Sequence, residues 1–305
     1  MLIFILRRLL LIIPMALLVV TLTWALIRVA PGTFYSQEKA LPAAIEANIR
    51  AKYGLDRPWY EQYWLMISNV ARGDFGDSLR YVGQSVNQII RQHLPYSATI
   101  GLLAYILALL IGLTAGIIAA LKQNSTFDYG AMAVAMLGLS VPNFVLGPIL
   151  VLIFALGFYM FPPARWGGWG SLVLPVITLA AVYAAYIARL TRAGMLEVMR
   201  SDYIRTARAK GLNEKTVLLK HGLRGGIIPV VSYTGPALAH LLAGTVVVER
   251  IFSIPGLGKI FIEAVLNRDE PLVLGIVAFL SILNMVFNLV VDVSYGFLDP
   301  RIRYE

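Results

Sequence analysis

The chain has 305 residues, 58% of them hydrophobic and only 14% charged, whereas an ordinary soluble domain is about 25% charged. Its 26 Lys and Arg outnumber 17 Asp and Glu, giving a formal net charge of +9, and it contains no cysteine. This balance excludes a disordered chain, a disulfide scaffold, thiol catalysis and cysteine-ligated metal, and it points to an all-α polytopic membrane protein rather than a nucleic-acid binder.

A helix needs ~20 mostly apolar residues to cross ~30 Å of hydrocarbon. The first such run, about Leu9 to Val29, carries no charge between Arg8 and Arg28. It is too long for the apolar part of a signal peptide, and Ala30-Pro31-Gly32 is a poor cleavage site. Residues 1–30 are therefore expected to be a retained N-terminal anchor helix. Residues 31–95 are polar, with helical stretches predicted at Pro42–Lys52 and Pro58–Arg72, broken by Gly54, Gly73 and Gly76. Their aromatics, among them Trp59, Tyr60, Tyr63, Trp64 and Phe75, suit either a cap at the membrane interface or a docking surface for an external partner. Within residues 96–295, five more spans are predicted, at about Ser97–Leu121, Tyr129–Phe158, Leu172–Ala188, Ile227–Val248 and Leu272–Tyr295. The third contains Pro142 and Pro148 and is long enough to tilt or kink. Residues 296–305 form a short tail.

Six spans put both termini on one side. If that side is the cytoplasm, the inner segments hold fourteen of the 26 basic residues and six acids, a net +8. Nine of those basic residues lie between Arg189 and Arg224. The positive-inside rule therefore predicts cytoplasmic termini and an extracytoplasmic cap at 31–95.

The loop at 190–226 reads as helix–Gly–helix. Asp202 is expected to cap a helix over Tyr203–Lys210, and Gly211 to end it. Asn213 is expected to cap a second helix, Glu214–His221. A basic helix there suits a lipid surface or a docked partner.

Catalytic patterns are lacking. His93, His221 and His240 are scattered and read as packing residues. Gly256-Leu257-Gly258-Lys259-Ile260 lacks the first Gly and the hydroxyl residue of a phosphate loop; Pro255-Gly256 reads as a turn before an interfacial helix bearing Leu257, Ile260, Phe261, Ala264 and Val265. Within the spans only Asp292 and His240 are ionisable, which is too few for a self-sufficient ion-coupled carrier. The residues thus describe a pore-like or scaffold subunit without its own energy source.

The stretch Asp202-Tyr203-Ile204-Arg205-Thr206-Ala207-Arg208-Ala209-Lys210-Gly211-Leu212 resembles the EAA loop of ABC-importer permeases, in the form used by the dipeptide/oligopeptide/nickel branch. Arg205 and Thr206 replace the Glu and first Ala of the general pattern, while Ala207 and Gly211 match it. Further on, His221 replaces Ile, Leu223 matches Leu and Arg224 replaces Pro. Gly54-Leu55-Asp56-Arg57-Pro58, Gly73-Asp74-Phe75-Gly76-Asp77-Ser78, Ser140-Val141-Pro142, Ile254-Pro255-Gly256-Leu257-Gly258 and Asp299-Pro300-Arg301 resemble the same branch in the same order. Asn48 to Leu55 and Ser85-Val86-Asn87 are most similar to B-type subunits of oligopeptide permeases.

The resemblance implies a type I (MetI-like) importer fold and a bacterial inner-membrane location. It implies a non-catalytic subunit that encloses a path for short peptides together with a second homologous permease. Two cytoplasmic ABC ATPases would bind ATP and Mg, leaving this chain without a cofactor. By the same resemblance Asp202, Tyr203, Arg205, Thr206, Ala207, Arg208, Lys210, Gly211 and Leu212 would form the ATPase-coupling loop. A periplasmic peptide-binding protein would dock on the outer side, near Asp74, Phe75, Glu249, Pro255, Gly256 and Lys259. Membrane lipid is the remaining partner, and nucleic acid is not expected. The competing readings are an ion-coupled carrier or channel acting without an ATPase, and a membrane enzyme, which requires converging catalytic side chains inside the spans.

Overall fold

The computed structural model describes residues 2–29, 54, 56–242 and 246–298. The predicted stretch Pro42–Lys52, the tail 299–305 and Asp299-Pro300-Arg301 lie outside them. The described residues are helical almost throughout: α1 (Leu2–Val29), α2 (Trp59–Ala71), α3 (Val86–Leu121), α4 (Thr126–Ser140), α5 (Asn143–Leu150), α6 (Gly170–Met199), α7 (Asp202–Ala209), α8 (Ile228–Leu242), α9 (Val246–Ile251), α10 (Leu257–Leu266) and α11 (Glu270–Leu298).

Close backbone approach organises the bundle. In hydrocarbon, helices gain little from apolar burial against one another, so small residues that bring backbones together set the contacts. Gly112 and Gly116 do this for α3. A Cβ on Gly116 would sit 2.6 Å from the Ala188 carbonyl oxygen of α6, and one on Gly112 2.8 Å from that of Ala184. Residue numbers rise together along this contact, so α3 and α6 are parallel. Beside them, α8 runs the other way: the Tyr105 hydroxyl donates to Thr234 Oγ1 at 2.6 Å, and Gly101 lies against Leu241. Ile100, Ala104, Leu179, Ile187 and Leu241 fill the space between the three helices.

The parallel pair decides how the predicted third span behaves. That span is broken by 103° between Thr126–Ser140 and Asn143–Gly157, far more than a kink. Pro142 cannot offer an N–H to continue the helix, and it holds Val141 extended at φ −89° and ψ 113°. Because α3 and α6 are parallel, the chain between them returns to its starting end. Asp128 at the start of α4 meets Arg192 near the end of α6, Gly138 faces Ala181 and Ala185, and Trp166 packs edge-on against Tyr96 near the start of α3, 4.9 Å between centroids. The bent pair therefore crosses once, and with α1, α3, α6, α8–α9 and α11 it makes six spans. Val151–Gly157 of this span is π-helical.

Several boundaries differ from those read in the sequence. The second span starts at Val86 and runs through Pro95 for 36 residues, about 54 Å at 1.5 Å per residue. It therefore continues out of the polar region instead of beginning after it. The predicted helix Pro58–Arg72 appears as Trp59–Ala71. The helix at Leu257–Leu266 is packed rather than merely interfacial: Leu257, Ile260 and Ala264 are buried with Val86, Ile89, Leu272 and Ile276.

The ends of the first and last spans meet. Arg8 Nη1 lies 2.9 Å from Asp292 Oδ2, so the intramembrane acid singled out in the sequence is paired with the basic N-terminal flank. At the opposite end of α1, the Thr21 and Tyr63 hydroxyls are 2.8 Å apart and Trp24 packs edge-on against Tyr63, fastening α2 to the anchor helix.

Candidate functional site

Helix α7 leaves α6 through a turn of two residues. Ser201, not Asp202, is the N-cap, with extended φ −71° and ψ 156°; its hydroxyl donates back to the Val198 carbonyl at 2.6 Å. Asp202 is the first helical residue, where its charge favours the positive end of the helix dipole. Ile204 and Ala207 are buried against Val217, Val198 and Met199, and these fix one face of the helix.

The other face points outward. Tyr203 is 42% exposed, and Arg205, Arg208 and Lys210 are exposed as well. Arg205 makes an exposed ion pair with Asp202 at 3.2 Å, worth little in water, and the Thr206 hydroxyl donates to the Asp202 carbonyl. Arg208 grips Glu214 with two bonds, Nε to Oε1 at 2.7 Å and Nη2 to Oε2 at 3.2 Å. That guanidinium holds the Glu214 carboxyl below the usual carboxylate range.

Gly211 ends the helix at φ +78°. Its N–H bonds the Arg208 carbonyl at 2.9 Å, and the Leu212 N–H reaches the Ala207 carbonyl at 3.4 Å, the two bonds of a Schellman turn. Nothing lies within 4 Å of a Cβ built on Gly211, so the glycine is required by conformation and not by crowding. Asn213 caps the next segment, its Oδ1 accepting from Thr216 N–H at 2.8 Å. That segment is less regular than expected: Glu214–Thr216 is α-helical, Val217–Gly222 π-helical and Leu223–Gly226 α-helical again.

A buried ion pair ties this surface to the bundle. Asp128, 1% exposed, accepts from Arg192 Nε at 2.6 Å and Nη2 at 2.7 Å, and from the Asn124 N–H at 3.0 Å. It joins the start of α4 to the last turns of α6, next to α7. Nothing local in the sequence marks the pair, because the partners stand 64 positions apart and each looks like an ordinary loop charge.

The six outer candidates do not form one surface. Asp74 is exposed and accepts from the Gly76 N–H, whereas Phe75 packs between Val86, Gly275 and their neighbours. Glu249 is fully buried, which removes its side chain from any docking face. One of its oxygens accepts from the Ser97 hydroxyl at 2.7 Å, the other from the Lys259 N–H at 2.9 Å, and Ser97 Oγ accepts from the Leu257 N–H at 2.8 Å. Glu249 from the preceding helix and Ser97 from distant α3 thus cap α10 together. Gly256 is buried beneath them, Pro255 is half-buried with its carbonyl 2.7 Å from His93 Nδ1, and Lys259 is partly exposed beside Glu263. Asp269, fully buried, works similarly: it bonds the Ser78 hydroxyl, the Leu79 and Arg80 N–H groups at 3.1 Å and Leu272 N–H at 3.3 Å, fastening the 78–80 turn to the start of α11.

Residues 112–304 match the family model described as "Binding-protein-dependent transport system inner membrane component". The chain is 44% identical over 303 residues to a Haemophilus influenzae protein described as oligopeptide transport system permease protein OppB, covering 99% of both. It is 44% identical to the Escherichia coli K12 protein of the same description, again over 99% of both chains. With the Bacillus subtilis dipeptide transport system permease protein DppB, identity is 41% over 94% of this chain and 93% of that one. Among solved structures, an inward-facing MetNI methionine ABC transporter superposes with TM-score 0.58 at 16% identity, over 69% of this chain and 96% of that one. An amino acid ABC transporter solved with histidines gives TM-score 0.54 at 19% identity, over 68% and 94%. Six spans in the MetI-like arrangement of type I importers, together with this similarity along the whole chain, establish that the protein belongs to the family of binding-protein-dependent transport system inner membrane components.

Proposed function

We propose that the chain is the permease subunit of an ATP-driven importer of short peptides, enclosing the path with a second homologous permease. The observation that carries this reading is its end-to-end similarity to proteins described as oligopeptide and dipeptide transport permeases. The sequence supports cytoplasmic termini, since the end of the bundle that holds Arg8, Lys122 and the 189–226 segment is also the basic end.

On this reading α7 and its turn, Asp202 to Leu212, seat in a groove of a cytoplasmic ATPase subunit. Ile204 and Ala207 anchor the helix while Tyr203, Arg205 and Lys210 face the partner. ATP binding and hydrolysis belong to the two ATPases. Their closure moves α7, and α6, locked to α3 at Gly112 and Gly116, carries that displacement into the bundle as a rigid-body motion. A periplasmic peptide-binding protein docks on the opposite end, which Glu249 and Asp269 hold in shape from beneath. Peptide uptake into proteoliposomes holding this chain, its partner permease and both ATPases, with the binding protein supplied outside, tests the proposal. Uptake that requires ATP and the binding protein is expected. Uptake driven by an ion gradient without the ATPases would establish a carrier instead.

A further inference from the structure

The residues that the bundle leaves uncovered are of two kinds. On α3 and α4 they are apolar: Leu102, Ile106, Leu110, Val134 and Leu137 present a surface suited to lipid tails. On α6 and α8 polar residues stand among them, at Tyr186, Arg189, Glu197, Ser232 and His240. Ser232, Pro236 and His240 recur every four residues on the uncovered side of α8, opposite buried Val230, Ala237 and Leu241. Tyr233 stacks on Tyr186 of α6 with centroids 5.3 Å apart and planes 11° apart, and the Arg189 guanidinium lies 5.8 Å from the centre of the Tyr186 ring. Pro236 has no N–H to offer the Ser232 carbonyl, so this stripe also carries a backbone acceptor outside the helical ladder.

Polar side chains and irregular backbone at membrane depth belong against protein or a water-filled cavity, not against lipid. Arg189 is exposed and brings a positive charge to this face; the uncovered residues nearest it on the two spans, Tyr186, Ala193, Ser232, Pro236 and His240, include no carboxylate, and Glu197, the exposed acid of α6, stands eight residues further on, about 12 Å along the helix. Two stacked aromatic rings offer flat surfaces that accept varied side chains, whereas a guanidinium recognises one fixed group, a carboxylate.

We infer that the face bearing Tyr186, Arg189, Ser232, Tyr233 and His240 lines the water-filled path, and that Arg189 receives the terminal carboxylate of the peptide. This rests on the peptide-import reading above. It gives one contact that is the same for every linear peptide and leaves the side chains to the aromatic surface.

The absence of cysteine allows single thiols to be placed without background in this chain. In the complete complex in proteoliposomes, Ser232→Cys and His240→Cys should react with a charged methanethiosulfonate reagent. The rate should be at least about ten-fold above that of Leu110→Cys, because reaction needs a hydrated thiolate. Rates as slow as at Leu110 would mean that a dry interface covers the face, and would overturn the path assignment. For the carboxylate, uptake of a peptide with a free C-terminus is compared with uptake of its C-terminal amide. Arg189→Gln should lower the acid-to-amide uptake ratio about ten-fold relative to the unsubstituted chain, a comparison in which the binding protein's own preference cancels. Arg189→Lys should restore part of it. An unchanged ratio, with both uptakes equal to or equally below the unsubstituted chain's, would overturn the role of Arg189. If the unsubstituted complex moves no peptide, the import reading fails and the carboxylate role with it, while the thiol rates still decide whether the face is wet.

Discussion

Gly211 separates backbone conformation from steric fit. A non-glycine residue at φ +78° costs about 1–2 kcal/mol, whatever its size, because the surroundings are open. Gly211→Ala should therefore weaken coupling modestly, whereas Gly211→Trp adds a ring on the surface proposed to meet the ATPase. Both variants should insert normally, and peptide-stimulated ATP hydrolysis should fall much further for Trp; equal rates would remove Gly211 from the interface. The neighbouring Arg208–Glu214 bond has a pH signature. Because the folded carboxyl sits below its usual range, it stabilises the turn above the ordinary carboxylate pKa, and that contribution is lost as pH falls through the lower folded value. Protection of the amides at 202–216, their exchange measured relative to the intrinsic rate at each pH, should fall in that acidic window and stay constant between neutral and mildly alkaline pH. At Asp128 the effect is energetic. Asp128→Asn leaves a partly buried guanidinium without its counter-charge, at a cost of about 1–3 kcal/mol, seen as earlier thermal unfolding of the detergent-purified chain. The stretch containing Gly211 was legible in the sequence because helix stops are local signals, and Asn213 was legible as a cap for the same reason. The Asp202 cap was misplaced by one residue because Ser201 and Asp202 are both good caps, and only the backbone angles choose between them.

At the scale of elements, the broken third span is the largest departure from expectation. The composition marks an apolar stretch with two prolines, but periodicity cannot state whether it bends slightly or turns through 103°. The parallel contact of α3 with α6 supplies the missing constraint, since it obliges the intervening chain to cross. Cysteine at Met160 and cysteine at Gln123 should accordingly be labelled by an impermeant thiol reagent from opposite sides of the membrane, with Asn213→Cys sharing the side of Gln123. Labelling of 160 and 123 from one side would make the pair a re-entrant loop. Helix α10 gives a second case. Its N-terminus is capped by Ser97, 160 positions before Leu257, and by Glu249, ten positions before Lys259. Glu249→Ala strands the Lys259 N–H and should cost about 1–3 kcal/mol in stability, read as a lower unfolding temperature, with Glu249→Gln recovering part of the loss.

Across the whole molecule, a net +8 of the +9 belongs to the segments at one end, where the first and last spans meet through Arg8 and Asp292. The chain by itself determined the apolar spans, the predicted orientation and the helix–Gly–helix loop. Each of these is written in runs of neighbouring residues: hydrocarbon thickness sets the length of a span, a count of Lys and Arg sets its direction, and a cap or a glycine marks the end of a helix. Tertiary structure decided what neighbours in sequence cannot. It turned Glu249 from a candidate docking residue into a buried cap, paired Asp128 with Arg192, broke the third span and separated a polar uncovered face on α6 and α8 from the apolar faces of α3 and α4. The physical reason is the same in every case. A charge, a proline or a tyrosine has the same local propensity whether it meets lipid, water or a partner side chain, and only the packing of distant helices determines which of these it meets.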